Sequence, residues 1–79
     1  MNKELTPVEK RLAVARTWAG RIDKLLAKRQ KKNPAYSEAE FCRTYNFDFA
    51  TFNRNKNIRV VPTQKTVDAI ENALKTEGV

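Results

Sequence analysis

Two helix-start signals stand close together in the stretch SEAEFCRTYNFDFATFNRNKN, residues 37 to 57, and they leave this part of the chain one arrangement: helix, short turn, helix. Ser37 is followed three residues later by Glu40, the spacing of a capping box in which hydroxyl and carboxylate satisfy backbone donors that a helix start leaves unpaired. Tyr36 in front of it is placed to staple onto Phe41. The grammar repeats at Asp48, which has Phe47 before it and Phe52 four residues after it. Asn46 falls where the chain must reverse, and asparagine tolerates the left-handed conformation better than any other non-glycine residue. Two caps at this separation leave a connection of about three residues, as in a helix-turn-helix.

At a helical turn of about 100° per residue, Phe41, Cys42 and Tyr45 line one side of the first helix, where Phe47 and Phe52 can meet them. The face opposite Phe52 collects Ala50, Asn53, Arg54 and Asn57, with Thr51 at its edge. Phe49 lies about 60° from Phe52 and reads as core. Cys42, the single cysteine, has no partner cysteine or histidine and reads as an inert buried thiol, small where two helices cross.

These residues resemble the lambda-repressor-like family, the Cro and repressor (XRE-like) helix-turn-helix proteins. The resemblance runs from Gly20 to Val79. It is carried by Arg21 to Lys28 as the helix before the motif, by Ser37, Phe41, Cys42, Asn46, Phe47 and Phe52 within it, and by the closing run PTQKTVDAIENALKTEGV. In that run Pro62, Thr63, Thr66, Val67, Ile70, Ala73, Leu74, Gly78 and Val79 fall at the family's spacing. The chain departs from the pattern at Asn55, where the family buries an aliphatic residue, and in the loop NIRVV, which lacks the family's glycine. The resemblance implies an all-α bundle of four to five helices whose second motif helix enters a DNA major groove. Ala50, Thr51, Asn53, Arg54 and Asn57 are then the candidates for contact with bases. Asn53 and Arg54 come first, because amides and guanidinium pair with base edges through two hydrogen bonds. Ser37, Arg43, Lys56 and Arg59 are the candidates for phosphate.

Upstream, Thr6, Pro7 and Glu9 form another helix start. Val8, Leu12, Ala15, Ala19, Ile22 and Leu26 then recur as one stripe, with Trp18 and Leu25 on its shoulder, and predict a single helix over residues 7 to 32. A break at Gly20 is the alternative. About 26 residues at 1.5 Å each give a rod of roughly 39 Å, longer than the compact diameter of about 30 Å for a chain of this length. Its amino-terminal half must overhang, so Val8, Leu12 and Trp18 are either core beneath the last helix or a self-association surface. Asn33 before Pro34 ends the rod. A closing helix over residues 63 to 77 buries Val67, Ile70 and Leu74 and stops at Gly78.

The 79 residues make one small domain with a net charge of +7. Residues 1 to 32 hold ten Lys and Arg against three acids, so that part is +7; residues 33 to 59 are +1 and residues 60 to 79 are −1. Such an excess favours an anionic partner. Without a histidine, a phosphate-cradling glycine loop or metal-ligand spacing, the chain offers nothing to an enzyme, a metal or a cofactor, and no small-molecule ligand is evident. There is no apolar run of membrane-spanning length and no signal-peptide pattern, so a cytoplasmic location is expected. The expectation is a sequence-specific double-stranded DNA-binding regulator, a phage or prophage repressor acting as a homodimer on a two-fold operator. A protein-interaction module such as an antitoxin or anti-repressor is the alternative, favoured by the low charge around the motif. A basic amphipathic helix on a membrane surface is disfavoured by the alanine content of the stripe.

Overall fold

The local signals become five helices in the computed structural model, which describes residues 4–79: α1 (Pro7–Ala15), α2 (Trp18–Gln30), α3 (Glu38–Thr44), α4 (Phe49–Lys56) and α5 (Gln64–Thr76). The chain is an all-helical bundle with no strand among the described residues. Thr6 and Glu9 form the expected capping box at α1, and Thr63 accepts from the Thr66 backbone N–H at the start of α5.

The rod expected over residues 7 to 32 is two helices, and the break lies at Arg16 and Thr17 instead of Gly20. Its cause is local. The Thr17 hydroxyl donates to the Val14 carbonyl at 2.7 Å, and the Thr17 N–H reaches the same oxygen at 3.0 Å, replacing a helical bond with a tighter turn. Threonine hydroxyls that bond back in this way bend helices. Gly20 sits inside α2 with open space where a Cβ would project.

The buried line also runs differently from the expected stripe. Ala15, Trp18, Ile22 and Leu25 are buried, whereas Ala19 is exposed and Leu26 is only partly covered. The bundle closes over the larger side chains, since Trp and Leu remove more apolar surface from water than Ala. Trp18 is wholly buried, its ring stacked on Phe52 at 6.5 Å and its indole Nε1 donating to Glu71 at 3.0 Å. It is therefore core and unavailable for self-association. Leu12 is half-buried, and Val8 and Leu5 are exposed, so the amino-terminal part of α1 does overhang the bundle, whose longest dimension is 49 Å.

Two carboxylates of the α5 segment bind α2. Arg21 grips Glu71 at 2.8 and 2.9 Å and also donates to the Val79 carbonyl, while Glu77, almost fully buried, accepts from Arg29 and from the Tyr45 hydroxyl. Lys28 donates to the Glu77 carbonyl at 2.8 Å. Three helices end in the same way. After α3, α4 and α5 the chain turns through a left-handed residue, Asn46 (φ 60), Ile58 (φ 59) and Gly78 (φ 78). The next N–H then reaches back into the helix, as Phe47 does to Cys42, Arg59 to Arg54 and Val79 to Leu74. That geometry satisfies carbonyls that a helix end leaves without partners.

Gly20 interrupts a well-packed helix on its solvent side. Gly20→Ala is expected to stabilise the protein by up to about 1 kcal/mol, a rise of about 4–8 °C in Tm for a domain of this size, measured by thermal denaturation followed by circular dichroism. Gly78→Ala places a side chain on left-handed backbone and is expected to lower the Tm in the same assay.

Candidate nucleic-acid interface

The α3–α4 corner is built on aromatic rings. Phe41 meets Tyr45, Phe47 and Phe52 with centroids 5.1, 5.9 and 5.7 Å away, and Phe47 stacks on Phe52 at 6.4 Å. Asn46 supplies the left-handed corner between the helices, and the Phe47 N–H closes it on the Cys42 carbonyl at 2.7 Å. Cys42 is buried in this cluster, and burial pushes its thiol up to about 11. Asp48 caps α4 by accepting from the Thr51 N–H at 2.9 Å and the Thr51 hydroxyl at 2.7 Å, hydrogen bonds that hold its carboxyl below the usual range.

With Phe52 turned inward, α4 presents Ala50, Thr51, Arg54 and Asn57 to solvent and Asn53 half-exposed. The Asn57 side-chain N–H donates to Asn53 Oδ1 at 3.0 Å, so the two amides form one unit along the helix. Arg54 and Arg59 are exposed and take part in no ion pair among the described residues. The face expected to contact bases is thus assembled as one surface.

The phosphate candidates are less uniform. Ser37 is exposed and begins α3 with extended backbone, but its hydroxyl accepts no cap bond, and Glu40 reaches forward to Arg43 instead of back to Ser37. The capping box read at Ser37 therefore does not form, because a nearby guanidinium outcompetes a backbone N–H for the carboxylate. Arg43 remains largely exposed beyond that pair. Lys56 bonds Glu38 at 2.8 Å, with both side chains only 16% exposed, and is better described as a tie between the start of α3 and the end of α4. Sequence reasoning missed that role for Glu38, since the two residues become neighbours only when the turn is made. The second oxygen of Glu38 is buried without a partner among the described residues, and Lys56 is the one cation there that pairs with this carboxylate.

Phe49 is the other correction. It is 46% exposed and not core, because Phe41, Phe47 and Phe52 already fill the space between the helices, and a side chain on the first residue of α4 leans away from it. Asn55 is buried although polar, in the place where an aliphatic residue was expected, and lines a shallow cavity of about 180 Å³ with Phe47, Phe52 and Ile70. Ile58 occupies the left-handed position usually given to glycine, a strain of about 1–2 kcal/mol for a side chain of this type, and packs against the core.

No group of three potential metal ligands occurs among the described residues, and no helix there is long and apolar enough to cross a membrane. Comparison with protein-family models found no match, and comparisons with curated proteins and with solved structures found none either.

Lys56→Met is expected to destabilise the protein by about 1–3 kcal/mol, by leaving the mostly buried Glu38 carboxylate unpaired, whereas Arg59→Met is expected to stay within about 0.5 kcal/mol of the wild type in urea denaturation. A second expectation concerns acid. Burial opposes ionisation of Glu71 and Glu77, but hydrogen bonds from Arg21 and Trp18, and from Tyr45 and Arg29, outweigh it and hold both below the model-compound value of 4.5. Such groups stabilise the fold above their unfolded pKa, and that contribution is lost as pH falls through the depressed folded values. Stability should therefore fall below about pH 4.5, and less steeply in Glu77→Gln, as read from urea midpoints across pH.

Proposed function

We propose that the protein is a sequence-specific double-stranded DNA-binding transcriptional regulator, and that α4 is its recognition helix. The observation that carries this is the outward face of α4, where Arg54 is exposed and unpaired beside the coupled amides Asn53 and Asn57, on a helix held rigidly by its inward face. Amide and guanidinium groups at helical spacing match the donor and acceptor pattern of the major groove. Arg59 and Arg43 flank that face as phosphate contacts, and the +7 net charge supplies general attraction to the backbone. Binding as a homodimer to a two-fold operator, with the overhanging Val8 and Leu12 of α1 contributing to the dimer, and action as a repressor of phage or prophage type in the cytoplasm belong to the same proposal. These follow from the lambda-repressor-like resemblance.

A second reading has one specific observation in its favour. Phe49 at the start of α4 and Val60 and Val61 after it are exposed large hydrophobics, which suits a protein partner as in an antitoxin or anti-repressor.

Selection from a randomised duplex pool, followed by salt titration, separates the two. A DNA regulator should enrich a two-fold consensus and lose affinity linearly in log salt. Arg54→Ala should cost about 1–3 kcal/mol and relax one position of the consensus, and Arg59→Ala should reduce the salt slope by about one per half-site. No enrichment, with binding indifferent to salt, would reject the proposal in favour of a protein partner.

A further inference from the structure

We infer that Phe49 reads the 5-methyl group of thymine, so that each half-site places a thymine against the first turn of α4, next to the base pairs met by Asn53 and Arg54. This rests on α4 being a recognition helix.

The inference starts from an aromatic ring left in solvent by a chain that had room for its other rings. Phe49 is 46% exposed, while Phe41 and Phe52 are buried and Phe47 packs against them. Nothing in the fold requires the ring where it is. Its neighbours share its chemistry. Ala50 is exposed and apolar, and Thr51 commits its hydroxyl proton to the Asp48 carboxylate at 2.7 Å, so that it offers its methyl group and an acceptor oxygen but no donor. The first turn of α4 therefore offers no free side-chain donor and is mostly apolar, whereas the residues that follow carry the Asn53 and Asn57 amides and the Arg54 guanidinium.

The thymine methyl is the one apolar group that projects into the major groove; the groups that distinguish the other bases there are donors and acceptors. A phenyl ring cannot satisfy those polar edges and would desolvate them at a loss. Against a methyl it removes apolar surface from both partners. The division of α4 into an apolar first turn and a polar second turn thus predicts a corresponding division in the half-site. Because Phe49 is 46% exposed and its ring forms none of the aromatic pairs that hold the α3–α4 corner, replacing it should leave the fold intact, so that changes in binding report on recognition.

The test uses the full chain and the duplex enriched from the random pool. Each thymine is replaced in turn by deoxyuridine, which removes the methyl and nothing else. Wild-type affinity should fall roughly three- to tenfold at one symmetry-related position per half-site, the scale of one or two buried methyl contacts. Phe49→Ala should bind the thymine duplex more weakly by a similar factor and bind the thymine and uracil duplexes equally, with an unchanged Tm. Phe49→Leu should keep part of the discrimination. Wild-type indifference to every replacement, or full discrimination retained by Phe49→Ala, would overturn the role of Phe49 while leaving DNA recognition standing. Failure to enrich any duplex would overturn both.

Discussion

Phe41 is the contact on which the rest of the arrangement depends. Its ring touches Tyr45 on its own helix, Phe47 in the turn and Phe52 on the next helix, and Phe52 in turn stacks on Trp18 of α2. Stacked and tilted aromatic pairs add about 0.5–1.5 kcal/mol each to what the buried area provides, the scale at which packing decides orientation. The cluster requires Asn46 to reverse the chain in the left-handed region, and the resulting direction of Phe52 determines which residues of α4 face water. The exposed face carrying Ala50, Arg54 and Asn57 is a consequence of aromatic packing on the other side of the same helix.

The second frame is electrostatic, and it changes what the basic composition means. Arg21, Lys28 and Arg29 are spent on Glu71, Glu77 and the last carbonyls of the chain, and Arg11 donates to the Pro62 carbonyl at 2.9 Å. These cations hold α1 and α2 onto the α5 segment and its approach. Lys10, Arg16, Lys24, Lys31 and Lys32 remain exposed and in no ion pair among the described residues, so the positive surface of this part of the chain is carried by them. The same economy applies within the motif, where Lys56 answers Glu38 and Arg43 answers Glu40. Arg54 and Arg59 stand out because no acid answers them.

Residue type and spacing were sufficient for the two motif helices and the turn between them, the caps at Thr6 and Asp48, the start of the closing helix near Thr63, the corner at Asn46, the stop at Gly78 and the outward face of α4. All of these are short-range: a cap, a turn or a periodicity involves residues a few positions apart, so the sequence displays it directly. The left-handed turn after α4 was hidden because it falls on Ile58, a β-branched residue that ordinarily avoids that conformation and is held there by the Arg59 N–H bond to Arg54 and by its own packing. The break at Thr17 was hidden for a related reason. Whether a threonine hydroxyl bonds back to its own helix depends on what the flanking turns must reach, here α5 for α1 and the aromatic cluster for α2.

What the sequence by itself determined is therefore the local grammar: helix-forming stretches over residues 7 to 32, 37 to 57 and 63 to 77, the middle one broken by a tight turn, and a polar face on the helix after that turn. Only the tertiary structure decided which aromatics are core and which is left outside, and which cations are structural. Trp18 and Phe49 both read as apolar residues near a helical stripe, yet one is wholly buried and the other half-exposed, because the space between the helices admits a limited number of rings. Lys56 and Arg59 both read as cations beside a recognition helix, yet only Lys56 meets a carboxylate brought to it from α3. Burial and pairing are properties of distance between segments, and those distances exist only once the chain has folded.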